Sequence, residues 1–377
     1  MTVTTPLTVA GIRTAIAPVL ERLGASARER ETTRDFAFAE VRELARAGIG
    51  LAGVPAADGG AGGNHRDIAD LVIDIARADS NVAQALRPTF LQSRRNPDGP
   101  TLQRLRNGDL FAGTVNERSG GANGSVHTTA RRVEGGWIID GRKYYSTGGL
   151  YADWFSTAAV TEDGDPVRFT VPTDRAGLGR PDDFDAVGQR LTQSGSTVFD
   201  GVFIADSEVN EAPAPENPWT GAFPQLYLAA VQAGIAARAL DDAVWFVNER
   251  ARPIKHSTAA TSVEDPYVRE TVGEIGIRAQ TARAVVLLAA ESIDHAPGDE
   301  AAVTVAQAGA TAIESALKAA ELLFDVGGAS ITDRSLGFDR HWRNARTAAN
   351  HNPRQWKTAV SGAWHLTGEE PPTSGLF

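Results

Sequence analysis

Through the first hundred residues, apolar positions recur at intervals of three and four, the spacing of a helix with one buried face. In FAFAEVRELARAGIGLAGVP, Phe36, Val41, Leu44 and Ala45 share a face, and Gly48 supplies a stop. GVPAADGGAGG then reads as a glycine-rich loop. RDIADLVIDIARADSNVAQAL resumes the helical period at Ile68, Leu71, Val72, Ile75 and Ala76, and RRNPDGP breaks it. From about residue 110 the period shortens to two. HTTARRVEGGWIIDGRKYYST, ADWFSTAAVTEDGDPVRFTVPT and SGSTVFDGVFIA alternate, carry β-branched and aromatic residues, and contain the turns EGG and DG. Such closely spaced short strands predict a small β-barrel or sandwich. Beyond the acidic, proline-rich ADSEVNEAPAPENPWTGAFP, long helical runs return: LYLAAVQAGIAARALDDAVWFVNERA, YVRETVGEIGIRAQTARAVVLLAAESIDHA, DEAAVTVAQAGATAIESALKAAELLFDVGG and the shorter HWRNARTAAN. Each is too apolar to stand alone, so a four-helix bundle is expected, with alanine-rich surfaces suited to contact between subunits. The expectation is an α+β protein: an N-terminal α-helical domain over 1–110, a central β-domain over 111–215 and a C-terminal helical bundle over 216–377.

Composition narrows the chemistry. The net charge of −10, from 47 acidic and 37 basic side chains, argues against nucleic-acid or anionic-membrane partners. There is no cysteine, which excludes disulfides, iron–sulfur clusters and thiolate zinc sites. No apolar run approaches the roughly 18 residues of a bilayer span, and MTVTTPLTVAGIRTAIAPVL lacks the basic start and compact apolar block of an export signal. A cytoplasmic protein is expected. The seven histidines show no HExxH-like spacing, so no metal site is expected. Neither a GxSxG elbow, a P-loop nor a GxGxxG after a strand occurs.

Two stretches stand out. FAGTVNERSGGANGS (111–125) joins polar side chains to a glycine-rich turn, where backbone N–H groups can approach a flat or anionic ligand; an ordinary hairpin loop is the plainer reading. In GRKYYSTGGLYADW (141–154), Ser146 and Thr147 precede Gly148 and Gly149, which suits a strand lying against a planar ring; an edge strand with a glycine bulge is the alternative.

In order, these segments resemble the acyl-CoA dehydrogenase-like flavoproteins over nearly the whole chain. ELARAGIGLAGVPAADGGAGG is similar to the family's N-terminal helix and glycine loop, and GTVNERSGGANGS stands where dehydrogenases carry a VTEPGAGSD-type segment. GRKYYSTGG corresponds to their G-K-x-W-I-T-N-G, and LLFDVGGASITDRSLGFDRHWRNAR to their late GG…RDA segment. The resemblance implies a flavin ring between the β-domain and the bundle, and a homotetramer.

The departures bear on activity. Many dehydrogenases place a glutamate base after the late segment; counting along RNARTAANHNPR, that position falls on Asn352, beside His351, and an amide cannot take the proton. The aspartate of GAGSD is replaced by Val126, and the threonine of VTE by Asn116. YADWFSTAAV, DDFDAVGQRLTQSGSTVFDGV and DRHWRNARTAANHNPR resemble instead the reduced-flavin-dependent monooxygenases of this fold, such as the dibenzothiophene and sulfone monooxygenases. That resemblance implies reduced FMN, with FAD as the alternative, supplied by a separate NAD(P)H-dependent reductase. Dioxygen is the co-substrate, a C4a-(hydro)peroxyflavin the oxygenating species, and a small apolar sulfur heterocycle, sulfone, indole or other aromatic the substrate. An acyl-CoA dehydrogenase using FAD is the rival. The resemblance makes His351 the catalytic candidate, and a group titrating near 6.5 can hold or move a proton at neutral pH. Asn116 and Asn352 join it as catalytic and flavin-contacting candidates. Ser146 and Thr147 are candidates for hydrogen bonds to the ring, although strand alternation sends them to opposite sides. Trp219 is a candidate lid, and Arg252 a candidate for a neighbouring subunit's flavin phosphate. Arg340, Arg343 and Arg346 are expected to anchor structure through carboxylates.

Overall fold

A computed structural model describes residues 6–95, 97, 99–118, 126–210 and 221–372. Five helices come first: α1 (Val9–Thr33), α2 (Phe38–Arg46), α3 (His65–Ala78), α4 (Ser80–Ser93) and α5 (Gly99–Arg106). Local sequence sets their ends. The Thr8 hydroxyl accepts from the Gly11 N–H to start α1, and Asn64 and Asp67 form a reciprocal capping box at α3. RDIADLVIDIARADSNVAQAL reads as one helical run, but it is broken at Asp79. That extended residue ends α3 and caps α4, and its carboxylate also receives Arg30 at 2.6 Å.

The strands β1 (Phe111–Thr114), β2 (Thr129–Val133), β3 (Gly136–Lys143), β4 (Trp154–Val160), β5 (Pro166–Pro172), β6 (Leu178–Gly179) and β7 (Thr197–Ala205) follow. They form one sheet in the order β1-β4-β2-β3-β7-β6, with β5 added to β4. β1 and β2 run parallel to β4, and the other pairs are antiparallel. The sheet shifts register between Ile139 and Gly141, where Gly141 adopts φ +152°. Its core is Phe155, Phe169, Val171, Phe199, Val202 and Ile204.

Among the described residues α6 (Ala222–Glu249), α7 (Pro266–His295), α8 (Asp299–Leu322), α9 (Asp339–Ala349) and α10 (Arg354–Thr367) follow the sheet. Helices, a central sheet and helices again follow in the order that the resemblance implies. Two features lie outside the sequence reading. α10 restarts immediately after Pro353, whose fixed φ suits a helix start, and buries Lys357 and Val360. Moreover, the helices before and after the sheet share a single core. Ile68, Leu71 and Val72 of α3 and Leu86 and Phe90 of α4 cluster with Leu226 and Tyr227 of the largely buried α6. No helix among the described residues is long and apolar enough to cross a membrane.

Candidate active site

The turn between α9 and α10 carries His351 and Asn352. The α9 helix runs out at Asn350, and Pro353 turns the chain into α10. The His351 ring bridges two side chains: its Nδ1 lies 2.9 Å from Asn352 Oδ1 and its Nε2 3.1 Å from Arg87 Nη1. A guanidinium only donates, so Nε2 accepts and the imidazole proton sits on Nδ1, pointing at the Asn352 carbonyl. The protonation state follows from the surroundings. His351 keeps an exposed surface in the isolated chain, yet protein mass around it pushes its pKa down to about 4. Desolvation is the largest cause, and the charges of Arg87 and Lys357 add to it. The surface it keeps weakens the desolvation, but the direction stands: at neutral pH the ring is an uncharged imidazole. Among the described residues no carboxylate bonds to it.

The cations around it are uncommonly placed. Arg87 lies half-buried on α4, and desolvation pushes its pKa down to about 10. Lys357, 3 % exposed on α10, donates to Gln225 Oε1 at 2.7 Å, and burial lowers it to about 8. Asn352, Gln225 and Lys357 line a cavity of about 10 Å³, room for at most one water.

The central domain presents its own polar group. Asn116 follows β1; its carbonyl accepts from the Tyr144 N–H at 2.8 Å, and its half-buried amide has no partner among the described residues. Next to it Glu117 forms a fully buried ion pair with Lys143 at 2.8 Å and accepts from the Thr128 N–H and hydroxyl, stapling the Asn116 segment to the end of β3. Past Lys143 the chain turns through Tyr145 at φ +61° and Gly148 at φ +80°. A Cβ on Gly148 would lie 2.5 Å from the Ala85 carbonyl, so only glycine lets this turn rest on α4 two residues before Arg87. Ser146 faces inward, its hydroxyl within 2.6 Å of Thr114 Oγ1 and 2.7 Å of Thr197 Oγ1. Thr147 takes the other side, accepting from the Ser194 hydroxyl at 3.0 Å.

These candidates therefore fall into two groups, His351 with Asn352 and Asn116 with the 146–147 turn, and α4 touches both. Arg252 stands exposed on the loop after α6, with no hydrogen bond or ion pair among the described residues. Trp219 and the glycine-rich 119–125 lie outside the described residues. Arg340 pairs with the buried Asp242 at 2.6 Å and Arg343 with Glu31 at 2.9 Å, whereas among the described residues Arg346 bonds Asn350 and no carboxylate. Sequence reasoning missed Arg87 and Lys357. The first sits in an ordinary amphipathic helix, and the second lies beyond the last helical run that the periodicity marks out.

Residues 112–202 match the acyl-CoA dehydrogenase middle domain, and residues 226–356 the acyl-CoA dehydrogenase C-terminal domain. The chain is 31% identical to the probable FMNH2-dependent monooxygenase SfnC of Pseudomonas putida, over 85% of this chain and 86% of that protein. It superposes with a TM-score of 0.87 and 25% identity on the dibenzothiophene monooxygenase TdsC from Paenibacillus sp. A11-2 in complex with FMN and indole, covering 97% of this chain and 99% of that one. The methanesulfinate monooxygenase MsuC from Pseudomonas fluorescens gives 0.86 and 26%, with the same coverage. With two successive domains matched and a relative of this identity aligned nearly end to end, the chain belongs to the acyl-CoA dehydrogenase family of flavoproteins and, within it, to the branch of flavin-dependent monooxygenases.

Proposed function

We propose that this chain is the oxygenase component of a two-component system. It takes reduced FMN from a separate NAD(P)H-dependent flavin reductase and, with dioxygen, oxygenates a small sulfur-containing or aromatic substrate. The observation that carries the reading is the His351–Asn352 pair: an uncharged imidazole in contact with Arg87, next to an amide at the position where the resemblance puts a dehydrogenase's glutamate. A carboxylate there would remove a proton from a thioester, and none is in reach among the described residues.

The residues present fit a flavin. Asn116 offers an unspent amide, Thr147 a hydroxyl and the 145–149 turn a close backbone, and these groups suit a planar ring edged with carbonyl oxygens and ring nitrogens. When bound, the reduced ring supplies two electrons to dioxygen, one oxygen atom entering the substrate and the other leaving as water. The chain's part is to hold and to protect. Asn116 and Thr147 orient the ring, with Ser146 bracing the turn from inside. His351 keeps its proton on Nδ1 under Asn352 and can accept another at Nε2 once Arg87 turns aside. The core that α4 shares with α6 limits water beneath the site. Arg252, exposed and unpaired among the described residues, suits the flavin phosphate of a neighbouring subunit, and Trp219 a lid. Apolar residues exposed along α7, Tyr267 (77%), Ile277 (66%) and Leu288 (59%), recur about three turns apart and support a homotetramer. A cysteine-free, acidic chain fits the cytoplasm.

The test is turnover with chemically reduced FMN, labelled dioxygen and a panel of sulfur and indole compounds. One labelled oxygen atom in a product supports the proposal. Anaerobic bleaching of bound flavin by an acyl-CoA, with no labelled product from any compound, refutes it.

A further inference from the structure

Arg87, half-buried on α4, differs from the ion-paired arginines of the interior. Arg30 has Asp79 at 2.6 Å, Arg340 has Asp242 at 2.6 Å and Arg343 has Glu31 at 2.9 Å. Each of these three guanidiniums meets a carboxylate that offsets the hydration it loses. Arg87 meets none among the described residues. Among the described residues its one hydrogen bond is that from Nη1 to His351; Nε is buried without a partner, and Nη2 has no protein partner there. Its polar neighbours increase the imbalance. Arg95 repels it, the Tyr227 hydroxyl is spent on the Ala83 carbonyl at 2.6 Å, and Lys357 puts a second positive charge near the same imidazole. A fork of donors held this way, beside the reactive histidine and short of negative charge, is half of a bidentate anion contact.

We infer that Arg87 is the anchor for an anionic head group on the substrate, so that the preferred substrate is a small organic oxyanion, a sulfinate or carboxylate, and not a neutral heterocycle. The inference rests on the monooxygenase reading for the fate of the ligand but not for its binding. It also gives the Arg87–His351 contact a purpose. An anion that draws the guanidinium away releases Nε2, so the imidazole becomes available only when substrate is present. Reduced flavin arriving at an empty site finds His351 engaged.

The experiment measures binding, without turnover, to the full-length protein loaded with oxidised FMN. Titration calorimetry compares benzenesulfinate and benzoate with methyl phenyl sulfone, a neutral compound of similar size. Wild-type protein should bind at least one of the two anions about tenfold or more tightly than the sulfone, and that preference should shrink as salt is raised. Arg87→Gln should weaken that anion by about tenfold to a hundredfold while leaving the sulfone and FMN within about twofold. Arg87→Lys should recover part of the loss, because it restores charge without the fork. Three results overturn the inference: wild-type protein that prefers the sulfone, Arg87→Gln that weakens anion and sulfone alike, or Arg87→Gln that weakens FMN instead, which would make the flavin phosphate the occupant. The wild-type comparison decides even if the variants fail to fold. Failure of the enzyme reading shows separately, as absence of labelled product from every compound.

Discussion

Asp242 on α6 holds α9, and the proposed site hangs from the far end of α9. One carboxylate receives Arg340 Nη2 at 2.6 Å, His341 Nε2 at 2.7 Å and Arg238 Nε at 3.0 Å, with only 7% of the residue exposed. Burial alone would raise its pKa. The His341 hydrogen bond, with the charges of Arg340, His341 and Arg238, outweighs burial and holds the group well below the ordinary carboxylate range. Replacing it with asparagine keeps the size and one acceptor but removes the negative charge. Arg340, itself buried, is then left with the Gly337 carbonyl at 2.9 Å and an amide that turns donors toward it. Breaking a buried pair by deleting one partner costs on the order of 3–5 kcal/mol. Arg238 softens the blow, because it also donates to the Gly24 carbonyl and is partly exposed, so we expect Asp242→Asn to cost about 3 kcal/mol. Urea unfolding followed by far-ultraviolet circular dichroism checks it: the midpoint should fall with an unchanged slope. The double variant Asp242→Asn, Arg340→Met removes the stranded charge and should recover part of the loss. Destabilisation below about 1 kcal/mol, or a double variant no better than the single, refutes the view that this carboxylate carries the charge balance of α9.

Three further outcomes follow from the same geometry. Replacing His351 with phenylalanine should abolish substrate oxygenation with little change in unfolding midpoint or FMN affinity; product mass spectrometry beside a flavin titration reads both, and full product yield removes the residue from the mechanism. Stability should drop on mild acidification, because burial and then Arg340 push the pKa of His341 down to about 4 from an unfolded value of about 6.5. The unfolded chain then takes the proton first, so the contribution is complete above pH 6.5 and is lost as pH falls toward 4. It amounts to on the order of 3 kcal/mol at about 1.4 kcal/mol per pH unit, and is read as a fall in unfolding free energy that a His341→Gln variant should show less of. Gly148→Ala should cost about 2–3 kcal/mol from the positive φ and the clash with the Ala85 carbonyl, and should weaken FMN as the 145–149 turn lifts off α4; thermal unfolding and flavin fluorescence measure the two effects.

The alternation of GGWIID and the EGG and DG turns made the sheet legible, because a half-buried strand writes its register into every second residue. The long alanine-rich helices were equally plain. What stayed hidden depends on partners distant in sequence. RDIADLVIDIARADSNVAQAL keeps an unbroken helical period across Asp79, and only the capping role of that carboxylate and its pairing with Arg30 explain why the chain turns there. α10 is not among the helical runs the periodicity marks out; Pro353 ends α9, yet the same proline starts the next helix and brings Lys357 beneath Asn352. Ser146 was legible as a hydroxyl near glycines; its engagement by Thr114 and Thr197 reflects a register between β1, β7 and the turn that local pattern does not encode.

The late HN pair illustrates the difference between naming a residue and knowing its state. Sequence resemblance picks out His351, and an unperturbed imidazole would be partly charged near neutrality. Its state is set instead by Arg87, 264 positions away, whose donor fixes the proton on Nδ1 and whose charge opposes a second one. Nothing in SNVAQALRPTFLQS marks that arginine out, since a polar residue on an amphipathic helix is the common case. It becomes conspicuous only once α4 is packed against α6 and the guanidinium is seen to lack the carboxylate that Arg30, Arg340 and Arg343 have. The residue that the family resemblance supplies and the residue that the packing supplies are halves of one contact, and the protonation that the proposed chemistry needs belongs to the contact.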